Sequence, residues 1–209
     1  MAKDPMSLER FASGSGDGVV KVWDLPSREE IWQTQAHENL VKGICWTDDK
    51  KFLSCGSDRS IKMYDPYNTA SGSAPLATWL GPNAFTGITK HRTEPAVAAS
   101  SSVLSIYDLN RPSSTPTQTL AWPTAIDTIT ACAFNQTETS ILASTATDRS
   151  LILYDLRTSS PLHRSVLSLA SNAIAWNPME AFNLAVASED HNLYPVSYTH
   201  LTLPTKRIV

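Results

Sequence analysis

Short alternations of apolar and polar residues recur along the chain. In Ser60–Asp65 (SIKMYD), Ile61 and Met63 fall on one face and Lys62 on the other. That period of two is what a half-buried strand requires. Ahead of it, Leu40–Thr47 (LVKGICWT) and Lys51–Ser57 (KFLSCGS) are apolar-rich runs of strand length, and Asp48–Lys50 between them supplies turn chemistry. Ser57–Ser60 (SDRS) reads as a tight turn in which Asp58 accepts backbone N–H bonds. A sheet of three or four such strands cannot bury both faces alone, so it needs neighbours of its own kind.

The chain supplies them. Gly16–Leu25 (GDGVVKVWDL) and Thr147–Arg157 (TDRSLILYDLR) repeat the turn, the alternating run and an aromatic–Asp ending. Asp17 and Asp24, Asp58 and Asp65, and Asp148 and Asp155 are each seven residues apart, with Trp23, Tyr64 or Tyr154 just before the second acid. A weaker copy ends in Tyr107-Asp108 without a turn acid. A fifth begins with Asp190 but has Ser197 where its closing acid is due. The aromatics recur after 41, 43 and 47 residues (23 to 64, 64 to 107, 107 to 154). A period in the forties predicts propeller blades. The chain is therefore read as all-β, with units near 1–25, 36–66, 80–109, 121–157 and 170–195.

Inside the second unit, His37, Asp58, the strand hydroxyl Ser54 and Tyr64 are predicted to form a buried hydrogen-bond chain that locks the layers in register. His37 is thus read as structural rather than catalytic. The Pro/Ser/Thr-rich stretches 65–76 and 110–120 are expected to be exposed loops between blades. Arg10–Gly18 already reads as a second strand and turn, which puts the first strand of unit one ahead of Met1. From Val196 the text (VSYTHLTLPTKRIV) departs from the repeat and reads as translated sequencing-adapter read-through. The partial propeller is accordingly assigned to 1–195 and the tail to 196–209. With four to five units, two of them incomplete, the chain is read as part of a larger ring with an unpaired blade edge.

Composition adds mainly exclusions. Of 209 residues, 42% are hydrophobic and 18% charged, and a net charge of −3 gives no electrostatic footprint for nucleic acid, so no DNA partner is expected. Lys42, Arg59 and Arg149 sit at strand starts or turns, which makes them candidates for a basic face that contacts RNA directly, with ordinary solvated loop charges as the alternative. The three Cys are far apart and the five His show no ligand spacing, so neither a metal nor a cofactor is expected. No run nears the roughly 18 apolar residues of a membrane span. Nucleophile-elbow, phosphate-loop and H-E-x-x-H patterns are missing. GSGDG (Gly14–Gly18) is Gly-rich but precedes a strand, not the helix N-terminus that receives phosphate. The expectation is a scaffold and not an enzyme, loop-rich rims on a rigid disc being suited to several partners.

The repeat resembles the WD40 family. Trp23-Asp24 is that family's signature dipeptide, Tyr64-Asp65, Tyr107-Asp108 and Tyr154-Asp155 are its variants, and Ala36-His37 stands where Gly-His is common. Within it, QAHENLVKGIC (35–45), TDRSLILYDLRTSSPL (147–162) and above all AIAWNPMEAFNLAVASEDHNLY (173–194) resemble fungal members of the Sof-type branch. The WNPMEAF string carries most of this, since blade packing does not require it. The resemblance implies a seven-bladed propeller with a basic C-terminal extension. It implies a scaffold subunit of the small-subunit processome, acting in ribosomal RNA processing and ribosome assembly in the nucleolus. Its partners would be proteins of that particle, with indirect association to small nucleolar and pre-ribosomal RNA. Animal relatives are also substrate receptors of a cullin-RING ubiquitin ligase, through an aromatic–Asp–x–Arg box. Tyr154-Asp155-Leu156-Arg157 matches the box and makes Asp155 and Arg157 candidate adaptor contacts, with a solvated loop residue as the alternative for Arg157.

Overall fold

A computed structural model describes residues 2–3, 9–47, 50–68, 73–111, 115–121 and 127–198. Among these the chain is all-β, with no helix. The first sheet contains β1 (Ala2–Lys3), β2 (Arg10–Gly14), β3 (Val19–Asp24) and β4 (Glu29–Gln35). The second has β5 (Val41–Trp46), β6 (Phe52–Gly56), β7 (Ser60–Tyr64) and β8 (Ala77–Leu80). The third has β9 (Gly87–Lys90), β10 (Ala96–Ser100), β11 (Leu104–Asp108) and β12 (Gln118–Leu120). The fourth has β13 (Ile129–Phe134), β14 (Ile141–Ala146), β15 (Ser150–Asp155) and β16 (Ser160–Val166). The fifth has β17 (Ser171–Trp176), β18 (Asn183–Ser188) and β19 (Leu193–Ser197). Each sheet is an antiparallel meander, and the first strands touch in the order β1, β5, β9, β13, β17. They line the inside of an open arc of five propeller blades.

The packing follows from the pleat. Successive side chains of a strand point to opposite faces, and here each face meets a different blade. In β6, Phe52 packs on the first blade and Leu53 on the third. In β15, Ile152 and Tyr154 pack on the third blade, while Leu151 and Leu153 pack on the fifth. Four apolar clusters result, one for each junction between consecutive blades. A strand covered on both sides loses the polar half of its alternation, which is why β14 and β15 are buried at every position.

The repeat aromatics occupy equivalent settings. Trp23 pairs with Phe11, Tyr64 with Phe52 and Tyr154 with Leu142, each six residues after its turn acid and in the same register. Tyr64, Tyr107 and Tyr154 are buried against the preceding blade. Trp23 is half-buried and stacks on Phe11 at 6.2 Å, because no described sheet precedes its face. The third blade is the poorest copy because its turn is two residues shorter: Ser100 pairs with Leu104, where Cys55 pairs with Ile61. Ser101 replaces the turn acid there, accepting from the Val103 N–H at 3.4 Å.

Four expectations change. Blades one to four each carry a fourth strand that the sequence does not announce, and the 110–120 stretch ends in one of them, with Leu120 1% exposed. These outer strands are legible only weakly since they bury one face at most, as in the exposed and half-buried EEIWQTQ of β4. The first blade's inner strand lies within the chain: Ala2 and Lys3 pair with Ala12 and Phe11. The repeat also runs past 195. Val196 pairs with Leu184, which is the position of the repeat aromatic, and is 7% exposed in the core shared with the fourth blade. Tyr198 donates to Glu138 at 2.6 Å and packs edge-on against Trp176 and Phe182. The remainder of the 196–209 tail lies outside the described residues. The fourth change concerns Tyr64 and belongs to the site.

Candidate interaction rims of the propeller

Each blade's third strand joins two rims. In the first, second and fourth blades its first end carries the turn acid and its last end the aromatic–Asp pair, about 17 Å apart for a five-residue strand. The side chains at each end are placed by the turn chemistry that begins or ends the strand.

At the first end, Asp17, Asp58, Asp148 and Asp190 each accept the N–H two residues on, from Val19, Ser60, Ser150 and Asn192, at 2.9–3.2 Å. The residue after the acid is left-handed in every case: Gly18 (φ 88°), Arg59 (63°), Arg149 (66°) and His191 (64°). Gly18 is required, since a Cβ there would lie 2.0 Å from the His37 carbonyl oxygen. Arg59, Arg149 and His191 adopt the strained region with side chains pushed into solvent, and Lys42 is exposed near the same turns. Hydrogen bonds hold the acids below the ordinary carboxylate range. The Ser15 hydroxyl is the main cause at Asp17, and the Tyr194 hydroxyl brings Asp190 to about 2. At Asp148 burial pushes upward, but bonds from Ser150 and Arg164 outweigh it.

The second blade adds a buried histidine. His37 is 1% exposed, with Nδ1 3.0 Å from Asp58 Oδ1 and Nε2 2.8 Å from Ser54 Oγ. Ser60 closes the cluster, donating to Asp58 Oδ1 at 2.8 Å. Burial is the largest influence on the imidazole and lowers its pKa, although Asp58 pulls the other way. The imidazole is thus favoured in its neutral form, with Nδ1–H donating to the Asp58 carboxylate and Nε2 accepting from the Ser54 hydroxyl. Burial raises the Asp58 pKa, but the Ser60 and His37 contacts reverse this and leave it low. The predicted chain of His37, Asp58 and Ser54 forms, whereas Tyr64 does not join it: its hydroxyl lies 3.4 Å from the Ala36 carbonyl instead. A phenol carries its only donor at the tip of the ring, whereas an indole carries its N–H on the ring's flank. In the first blade, Trp23 Nε1 does meet the corresponding hydroxyl, Ser13 Oγ, at 2.9 Å.

At the other end, the second acid begins the turn into the fourth strand. Asp65, Asp108 and Asp155 accept the N–H two residues on (Tyr67, Asn110, Arg157) at 2.9–3.0 Å, and Asp24 accepts from Ser27. Arg157 folds back on Asp155 through Nε at 3.0 Å and Nη2 at 2.7 Å. Its side chain is still 69% exposed. Asp155 therefore fixes the turn, and Arg157 is displayed at the rim in a held orientation rather than as a free arm. The three cysteines are free thiols on β5, β6 and β13.

A repeated four-stranded unit, a turn acid, an aromatic–Asp ending and a buried His–Asp pair together define a WD40-repeat protein, and the chain is one. The family model described as WD domain, G-beta repeat matches residues 4–24 and 28–65. The chain is similar to Protein SOF1 of Saccharomyces cerevisiae, 41% identical over 93% of this chain and 44% of the relative. It is similar to Protein sof1 of Schizosaccharomyces pombe, 43% identical over 93% of this chain and 43% of the relative. It also resembles DDB1- and CUL4-associated factor 13 of Danio rerio, 38% identical over 98% of this chain and 46% of the relative. The chain spans less than half the length of these curated relatives.

Proposed function

We propose that this chain is part of a non-catalytic WD40 scaffold that acts in small-subunit ribosomal RNA processing and ribosome assembly in the nucleolus. The observation that carries the reading is 41% identity to a SOF1 protein over 93% of the chain. The architecture supports it: neighbouring blades brace one another, and both rims present turns fixed by buried or capped acids. In this role the rims bind other proteins of the processome, and RNA associates through them. The decisive experiment is affinity purification of the full-length parent from its own cells, with sequencing of co-purifying RNA and identification of proteins. Processome proteins and U3-type small nucleolar RNA are expected. Their absence, with normal pre-ribosomal RNA processing after depletion of the protein, would refute the reading.

A second role has its own support. The Danio rerio relative named for association with DDB1 and CUL4 is 38% identical over 98% of the chain, and Arg157 stands exposed in the Tyr-Asp-x-Arg box. Here Arg157 contacts a cullin-RING adaptor while Asp155 holds its orientation. Arg157→Ala in the full-length protein then abolishes adaptor pull-down and leaves processome partners bound. Unchanged capture would remove the box from the account.

A further inference from the structure

Between the third and fourth blades, at the aromatic–Asp rim, the two sheets part to leave a cleft of about 640 Å³. Both blades have neighbours on their other faces, so the cleft is interior to the arc and independent of its ends. Its two sides are tied across the gap. Toward the inner strands, His91 Nε2 donates to the Thr139 carbonyl at 2.9 Å and Arg92 to the Gln136 carbonyl at 2.6 Å. Toward the outer strands, Gln118 Nε2 donates to the Leu156 carbonyl at 3.0 Å and to Ser159 Oγ at 2.7 Å. The His91 ring is held as well, since Nδ1 accepts from the Glu94 N–H at 2.9 Å. The opening is thus built into the framework, and its volume lies in the range of small-ligand and side-chain sites.

The walls have a consistent chemistry. Ile106, Phe134 and Leu156 make an apolar floor. Glu94, exposed, and Asp108, half-buried, also line it and mark its solvent side. The cation lining the cleft, Arg157, is committed to Asp155 by two bonds from Nε and Nη2. Arg111 approaches Asp108 only at 3.8 Å, with its side chain 83% exposed, and so neutralises it little. The cleft therefore presents the carboxylates of Glu94 and Asp108, the second of them weakly paired, beside an apolar surface. We infer that it receives a lysine or arginine side chain, with adjoining apolar residues, from an extended segment of a partner protein. A long basic side chain lays its methylene stem on apolar surface and carries its charge to the edge, which is the order of chemistry from this floor to this solvent side. Charge-assisted bonds to Glu94 and Asp108 supply the selectivity.

The test uses the purified 209-residue chain and a fluorescein-labelled pentapeptide, alanine-leucine-lysine-leucine-alanine, with matched peptides carrying norleucine or glutamate in the central place. Fluorescence anisotropy at low salt reads affinity. The lysine peptide is expected to bind about tenfold more tightly than the norleucine peptide. The double variant Glu94→Gln/Asp108→Asn should erase that difference, and its urea midpoint should match the parent because Asn at 108 still accepts the turn N–H. Equal affinity for the lysine and norleucine peptides would overturn the inference. So would tighter binding of the glutamate peptide, retention of selectivity by the double variant, or no binding of any peptide.

Discussion

Replacing His37 with alanine removes the group around which the second blade's turn rim is organised. Asp58 loses its imidazole donor with only 10% of its side chain exposed, and Ser54, fully buried, loses its acceptor. A hydrogen bond to a charged group is worth about 1.5–3 kcal/mol, and an orphaned buried hydroxyl costs about 1–3 kcal/mol. Water entering the space left by the ring offsets part of this, so we expect a loss of about 3 kcal/mol. For a chain of this size that corresponds to a fall in Tm of about 6–12 °C. The pH dependence gives a second, more specific readout. Burial, reinforced by Lys62 and opposed by Asp58, keeps folded His37 from taking a proton, while the unfolded chain takes one near pH 6.5. The unfolded state then binds more protons below that pH, so stability must rise with pH through this window and fall on acidification. Between pH 7.5 and 5.5 the parent should lose up to about 1.4 kcal/mol from this group alone. His37→Ala should lack that component, the other four histidines being common to both proteins. Urea titrations followed by tryptophan fluorescence at the two pH values measure both effects. A variant within about 0.5 kcal/mol of the parent, or one with the same pH slope, would refute the assignment of a neutral, load-sharing His37.

Other substitutions probe the turns and the outer strands. Gly18→Ala places a Cβ 2.0 Å from the His37 carbonyl oxygen at φ +88°, and should cost about 2–4 kcal/mol in urea unfolding. Arg149→Gly relieves a left-handed arginine at φ 66°, and should raise the urea midpoint by the equivalent of about 0.5–1 kcal/mol. Leu120→Ala empties a site 1% exposed on β12 and should destabilise by about 2–4 kcal/mol, whereas a residue in an exposed loop would change nothing measurable. Val196→Asp buries a carboxylate in the core between the fourth and fifth blades; proteolysis of the fifth blade should accelerate sharply, and an unchanged cleavage pattern would place Val196 outside that core.

The sequence by itself determined the repeating unit. Seven-residue spacing from turn acid to closing acid, with an aromatic before the second, is local chemistry: each acid caps N–H groups two residues on, and the strand between them has a fixed length. These features announce themselves without knowledge of what lies across the sheet, so Asp17, Asp58, Asp148 and Asp190 all sit in the turns the text predicts. His37, Asp58 and Ser54 were readable for a related reason, because buried polar groups must find partners and the repeat offers few.

Only the tertiary structure decided what depends on neighbours. The fourth strands bury a single face against an adjacent blade, and polar runs such as EEIWQTQ acquire strand character from pairing rather than from their own pattern. Tyr64 stays outside the His37 network because its hydroxyl sits at the ring tip and faces the Ala36 carbonyl, whereas the indole N–H of Trp23 sits on the ring's flank and faces Ser13, a difference that spacing cannot express. Val196 joins the fifth blade because register, not composition, puts it opposite Leu184. The cleft between blades three and four is likewise invisible in the text, since its walls come from two separate stretches, 91–118 and 134–157, that meet only when two sheets pack and then part.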